Sequence, residues 1–100
     1  MIDNATSVWL FHGANGRFSS GVFSEITKAE SWIAKHKLTG VLTMYPVNEG
    51  AYDWAISNRF FEVKTDDQIQ PSFIQKFTCA SQEHYHYENG ERDTYKKKAF

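Results

Sequence analysis

The residues best equipped for chemistry stand near the C-terminal end, in His84-x-His86-x-Glu88. Strict alternation is strand periodicity, and in a strand these three side chains project to one face. Two imidazoles and a carboxylate form the ligand set of many zinc and non-haem iron sites. A strand rises about 3.3 Å per residue, so the outer two positions stand about 13 Å apart, too far for one ion. His84 and His86 are therefore the candidate metal pair. His12 is a candidate further ligand if its strand lies alongside. The competing reading is a polar strand face backed by Tyr85 and Tyr87.

Other chemistry-bearing residues give less. Cys79 lies in Phe-Thr-Cys-Ala-Ser, which carries neither a nucleophile elbow nor a cysteine-hydrolase signature, so it reads as a small packed thiol. Gly13, Gly16 and Gly21 match neither the dinucleotide fingerprint nor the P-loop. Glu49 and Asp53 sit at the start of a short helix, where a carboxylate suits the positive pole of the helix dipole. Asp66 and Asp67 fall in a polar loop and read as solvated groups or as contacts for a basic partner. Asp53, Asp66 and Asp67 are the candidate partner-contacting residues. No catalytic residue and no cofactor is assigned.

Composition bounds the function classes. One hundred residues make a single domain, 1–100, with a folded part of about 7–90 and a mobile tail from 91 to 100. Aromatic residues make up 16%, which argues for a folded core and against disorder. Eleven Lys and Arg face twelve Asp and Glu, for a net charge of −1. That balance lacks the basic stripe of a nucleic-acid binder. Lys96, Lys97 and Lys98 form the one basic run, in the tail. A single cysteine excludes an internal disulfide and fits a reducing compartment. The start of the chain has no signal-peptide pattern, and no apolar run reaches the roughly 18–20 residues of a membrane span. A cytoplasmic location is expected.

The elements that must position these residues follow from periodicity. Ser7–His12 reads as a strand with Val8, Leu10 and His12 on one face and Trp9 and Phe11 on the other, hence a central strand. Asn15-Gly16 signals a type I′ hairpin into a second arm, Arg17–Phe23, weakened at Gly21. Thr27 and Glu30 match a capping box before a helix from about Lys28 to Lys37, whose stripe is Ala29, Trp32, Ile33 and His36. Gly40 is placed to leave that helix in a left-handed conformation. Val41–Tyr45 is an uncharged central strand ended by Pro46, and Asn48 is an N-cap for a short helix, Ala51–Ile56, ended by Asn58. Arg59–Val63 reads as a short extended piece. Pro71 opens another short helix that faces Phe73 and Phe77 together. Gln82–Glu88 is the last strand. Asn89-Gly90 is a second hairpin signal with nothing apolar after it, and Tyr95 and Phe100 are late anchors. Trp9, Trp32 and Trp54 are assigned to the core; exposure of any of them would point to a protein-binding patch. The expected fold is α+β: an antiparallel or mixed sheet of three to five strands, with helices packed mainly on one face.

Four segments carry a resemblance: WLFHGANGRF at 9–18, AESWIAKHKLTGVLT at 29–43, YPVNEGAYDWAI at 45–56 and SQEHYHYENG at 81–90. Together, over about residues 7–91, they resemble a family of small bacterial proteins that carry a domain of unknown function. The resemblance implies a bacterial source and a single-domain cytoplasmic protein, and it transfers no activity. Domains of this kind and size serve by analogy as immunity-like or accessory binders. The expectation is thus a non-enzymatic protein-binding domain. The alternative is a small-molecule or metal-binding domain using His12, His84 and His86. A homodimer that buries the aromatic surplus between copies is a third possibility.

Overall fold

Two hydrophobic periodicities, one of two residues and one near 3.6, decide the architecture. The computed structural model describes residues 6–94. The order is β1 (Ser7–Gly13), β2 (Gly21–Phe23), α1 (Ile26–His36), β3 (Gly40–Pro46), α2 (Ala51–Ser57), a 3-10 turn (Asp66–Ile69), α3 (Pro71–Ile74), β4 (His84–Glu88) and β5 (Glu91–Arg92). The strands form one open antiparallel sheet in the order β2-β1-β3-β4-β5. The fold is α+β, with the uncharged β3 at its centre as its composition requires.

The core lies between α1 and one sheet face. Phe11 of β1 faces Leu42 of β3, which faces Tyr85 of β4. Phe11, Leu42 and Tyr87 meet Ala29 and Ile33 of α1, and Ala29, Ile33 and Leu42 are wholly inaccessible. Trp32 stands edge-on to Phe11 with ring centres 5.8 Å apart, and His36 at the exposed end of the stripe stands edge-on to Trp32. All three tryptophans are half-buried, with Trp9 and Trp32 packed against this core and Trp54 against Phe60.

Several local expectations are corrected. Only Asn15 has a positive φ in the first turn, so the turn is not type I′. The ladder resumes only at Ser20, whose N–H donates to the Phe11 carbonyl. Arg17–Ser20 is loop, and Phe18 stands 77% exposed. The capping box is not made: α1 starts earlier, its N-cap is Glu25, and the Glu30 carboxylate is drawn to Tyr87 and Arg92. Lys37, not Gly40, takes the left-handed position after α1. Gly40 begins β3, where a Cβ would fall against the His12 carbonyl oxygen. Gly50, not Asn48, caps α2, because Asn48 is held at φ 63° in the preceding turn. Arg59–Val63 forms no strand. Arg59 turns left-handed at φ 63°, and Phe60 and Phe61 diverge onto Trp54 and Tyr52.

The second hairpin does close. Asn89 and Gly90 both have positive φ, as a type I′ turn demands, and Glu91–Arg92 return beside β4 without apolar side chains. The expected late anchors Tyr95 and Phe100, the Lys96–Lys98 run and the expected signal-free start at residues 1–4 lie outside the described residues.

Candidate functional site

The candidate residues fall into two regions. The first is the sheet face opposite α1, where β-alternation places Leu10, His12, Val41, Thr43, His84 and His86. His12 and His86 both pair with Val41, from opposite sides, and His84 pairs with Thr43. The three histidines therefore share a face, but β3 lies between His12 and the other two. A shallow concavity of about 370 Å³ runs between His12 and His86 over Val41 and Thr39.

Hydrogen bonds fix two of the imidazoles. His12 Nε2 lies 2.7 Å from the Gly16 carbonyl oxygen, which ties β1 to its own turn. His84 Nδ1 lies 2.7 Å from the Gln82 carbonyl oxygen. A carbonyl oxygen only accepts, so each of these ring nitrogens carries the proton. The His84 and His86 rings are 5.7 Å apart between centres, with planes at 81°. Among the described residues no group of three or more His, Cys, Asp and Glu side chains is arranged to hold a metal ion. Glu88 is exposed at the far end of β4.

Sequence reasoning missed Gln82. It is 2% exposed, donates through Nε2 to the Met44 carbonyl at 3.0 Å and accepts from the Cys79 N–H. A polar residue before a strand gives no hint of such burial; only its bond to β3 does.

The second region is the segment from α2 to α3. Tyr52, Phe61, Phe73 and Phe77 pack ring on ring, with centres 5.0–6.3 Å apart. Pro71 starts α3 as its fixed φ favours, and Phe73 and Phe77 join one cluster. Tyr52 is buried and donates its hydroxyl proton to the Gln68 carbonyl at 2.8 Å, which ties α2 to the 3-10 turn. Two depressions adjoin the cluster and share Phe61. One, about 500 Å³, is walled by Phe61, Phe73, Phe77 and the half-buried Cys79, with Lys76 at its rim. The other, about 560 Å³, lies among Ile56, Arg59, Phe61, Glu62 and Val63.

Exposed apolar side chains concentrate here. Of the large hydrophobics that face solvent, Ile56, Phe60, Val63, Ile69 and Ile74 belong to this segment, and only Phe18 and Val22 lie elsewhere among the described residues. Phe60 and Ile69 are 50% and 53% exposed. Asp53, Asp66 and Asp67 flank the same segment and are exposed. Among the described residues no lysine or arginine pairs with them. The acids are visible in the sequence and the apolar surface is not, since Phe60 and Ile69 are indistinguishable from core residues by type.

A third group is structural. The Tyr87 hydroxyl donates to Glu30 Oε2 at 2.6 Å, and Arg92 pairs with the same carboxylate. Arg92 lies over the Tyr85 ring, 3.8 Å from its centre, and Tyr85 stacks on Trp9. Burial and the bond to Glu30 push the Tyr87 phenol up to about 12. The bond to Glu83 raises the Tyr85 phenol also. This network fastens the β4–β5 hairpin to α1.

Among the described residues no helix is long and apolar enough to cross a membrane. A family model described as a domain of unknown function (DUF7710) matches residues 8–93. No curated protein and no solved structure matches the chain.

Proposed function

The chain belongs to the DUF7710 family, a family of unknown function, and we propose that it acts as a non-enzymatic protein-binding domain through the surface between α2 and α3. The observation that carries this reading is the concentration of exposed Ile56, Phe60, Val63, Ile69 and Ile74 on one short segment. Large apolar patches rimmed by polar residues mark interaction sites on soluble proteins. The uncompensated Asp53, Asp66 and Asp67 favour a partner with an apolar contact face bordered by Lys or Arg. The role envisaged is that of an immunity-like or accessory factor in the cytoplasm.

A phenylalanine side chain offers roughly 150–250 Å². Phe60, half exposed, thus leaves about 100 Å², or about 2.5 kcal/mol of burial at 25 cal/mol/Å². Ordering a partner consumes part of that, so a tenfold or larger weakening per side chain is expected. The test is capture from native-host extract by the wild type, by a Phe60→Ser/Ile69→Ser variant and by a His86→Ala control. The expected result is one partner kept by wild type and control and lost by the double variant, with the unfolding temperature recorded to show that the double variant is still folded. Capture that ignores the double variant, or no protein retained by any form, refutes the reading. A concentration-dependent dimer in sedimentation, dissolved by the same double variant, would make the partner a second copy of the chain.

A further inference from the structure

We propose that His84 and His86 form a two-imidazole clip for a borderline divalent cation such as Zn²⁺. The site shares no residue with the α2–α3 surface and does not rest on its function. Three observations carry it.

The first is the tautomer of His84. Its Nδ1–H donates to the Gln82 carbonyl, so in the neutral imidazole Nε2 is the nitrogen that carries the lone pair. Imidazoles that bind metals show this arrangement, with the second nitrogen anchored on a backbone carbonyl or a carboxylate. The anchor here is rigid. The Gln82 side chain is buried, and both ends of its amide are bonded, to Met44 and to Cys79. The Met44 N–H in turn donates to the Glu83 carbonyl, so the backbone that orients His84 is stitched to the central strand.

The second is spacing. A zinc–nitrogen bond is about 2.0–2.1 Å. Adding about 1.1 Å from nitrogen to ring centre places each centre about 3.2 Å from the ion. Two rings on one ion then stand about 4.5 Å apart at a right angle, about 5.2 Å at a tetrahedral angle and about 6.4 Å when opposed. The observed 5.7 Å lies within that span without moving the backbone.

The third is availability. His86 is exposed, and among the described residues neither of its ring nitrogens has a hydrogen-bond partner. His12 is not part of the clip: β3 separates it from β4, and its Nε2 is committed to Gly16. With two protein donors, water completes the coordination. The site is therefore open and exchangeable, unlike a closed structural zinc.

The experiment uses the untagged chain and ZnCl₂ alone. Calorimetry should give one ion per chain, and ring resonances of His84 and His86 should shift while those of His12 and His36 stay. A long-range nitrogen spectrum of the metal-free protein should show His84 protonated on Nδ1. His84→Ala and His86→Ala should each weaken binding tenfold or more, with unfolding temperatures recorded to show that both variants are folded. A folded His12→Gln variant should bind as the wild type does. No heat at millimolar zinc overturns the proposal. So do equal shifts at all four histidines, or binding that survives either alanine substitution, each of which would mark adventitious single-imidazole contacts only.

Discussion

Gly13 and Gly40 face each other across β1 and β3, yet replacing each by alanine should have opposite effects. A Cβ on Gly40 would fall against the His12 carbonyl oxygen, 2.8 Å from Gly13 Cα and 2.8 Å from the Phe11 ring. Two of those three obstacles are backbone and cannot swing aside. A Cβ on Gly13 meets the Phe11 ring at 3.7 Å and the Thr39 carbonyl at 3.8 Å, which is ordinary contact. Neither glycine has a positive φ, so alanine is conformationally allowed at both. At either site alanine reduces the freedom of the unfolded chain, a gain of about 0.4–1 kcal/mol. At Gly40 that gain opposes overpacking of about 1–3 kcal/mol, toward the upper end because the backbone must give. Gly40→Ala should therefore destabilise by about 1–2 kcal/mol, and Gly13→Ala should stabilise by up to about 1 kcal/mol. At about 4–8 °C per kcal/mol for a domain of this size, their midpoints should differ by about 10–20 °C. Urea unfolding followed by circular dichroism, paired with thermal scans, measures both. Equal midpoints for the two variants, or a Gly40→Ala protein as stable as the wild type, would refute the steric reasoning.

Two further outcomes rest on the same kind of contact. Burial under α1 and the bond to Glu30 raise the Tyr87 phenol from its ordinary 10.0 to about 12. The unfolded chain therefore loses that proton first, so stability is level below pH 10 and falls as pH rises through 12. In Tyr87→Phe this part of the fall should vanish; an unchanged alkaline profile would show that the phenol titrates normally. Separately, α2 and α3 span seven and four residues and enclose only one buried ring, Tyr52. Helices this short depend on tertiary packing. Amide exchange in the free protein should be faster at Ala51–Ile74 than in α1 and β3, and uniform protection across both regions would contradict this.

Legibility in the sequence follows the strength of each local signal. β1, β3 and β4 are readable because strict alternation and uncharged runs fit a strand and suit neither a surface helix nor a loop. The faces of His84/His86 and Tyr85/Tyr87 come with them. α1 is readable from Ala29 and Ile33, but its first turn is not. A capping box is a local contest for one carboxylate, and Glu30 is claimed from 57 and 62 residues away by Tyr87 and Arg92. The first hairpin misleads because Asn-Gly specifies a tight turn only if the ladder reaches it, and here the ladder stops at Gly21. The second hairpin is hard to see because β5 needs no apolar side chain when Arg92 is held by a carboxylate and a ring. At the candidate sites, the shared face of His12, His84 and His86 is legible as a condition on strand order. The fixed His84 tautomer is not, since it depends on a carbonyl two residues back and on Gln82 crossing to Met44.

The aromatic content that identifies this chain as a folded domain serves two different purposes. On the α1 side, Phe11, Leu42 and Ile33 are closed off completely, because an eleven-residue helix covers three adjacent strands with its apolar stripe. On the α2–α3 side, four aromatic rings touch one another, yet only Tyr52 is buried. Two short helices and a 3-10 turn cannot supply enough covering surface for them. The rings hold the segment together through stacked, tilted and edge-to-face contacts and leave Ile56, Phe60, Val63, Ile69 and Ile74 as the outer layer. The parts of these side chains that face water add nothing to the folded state and promote aggregation. On the reading proposed above, a partner covers these five side chains, and the rings beneath them are the platform that presents them.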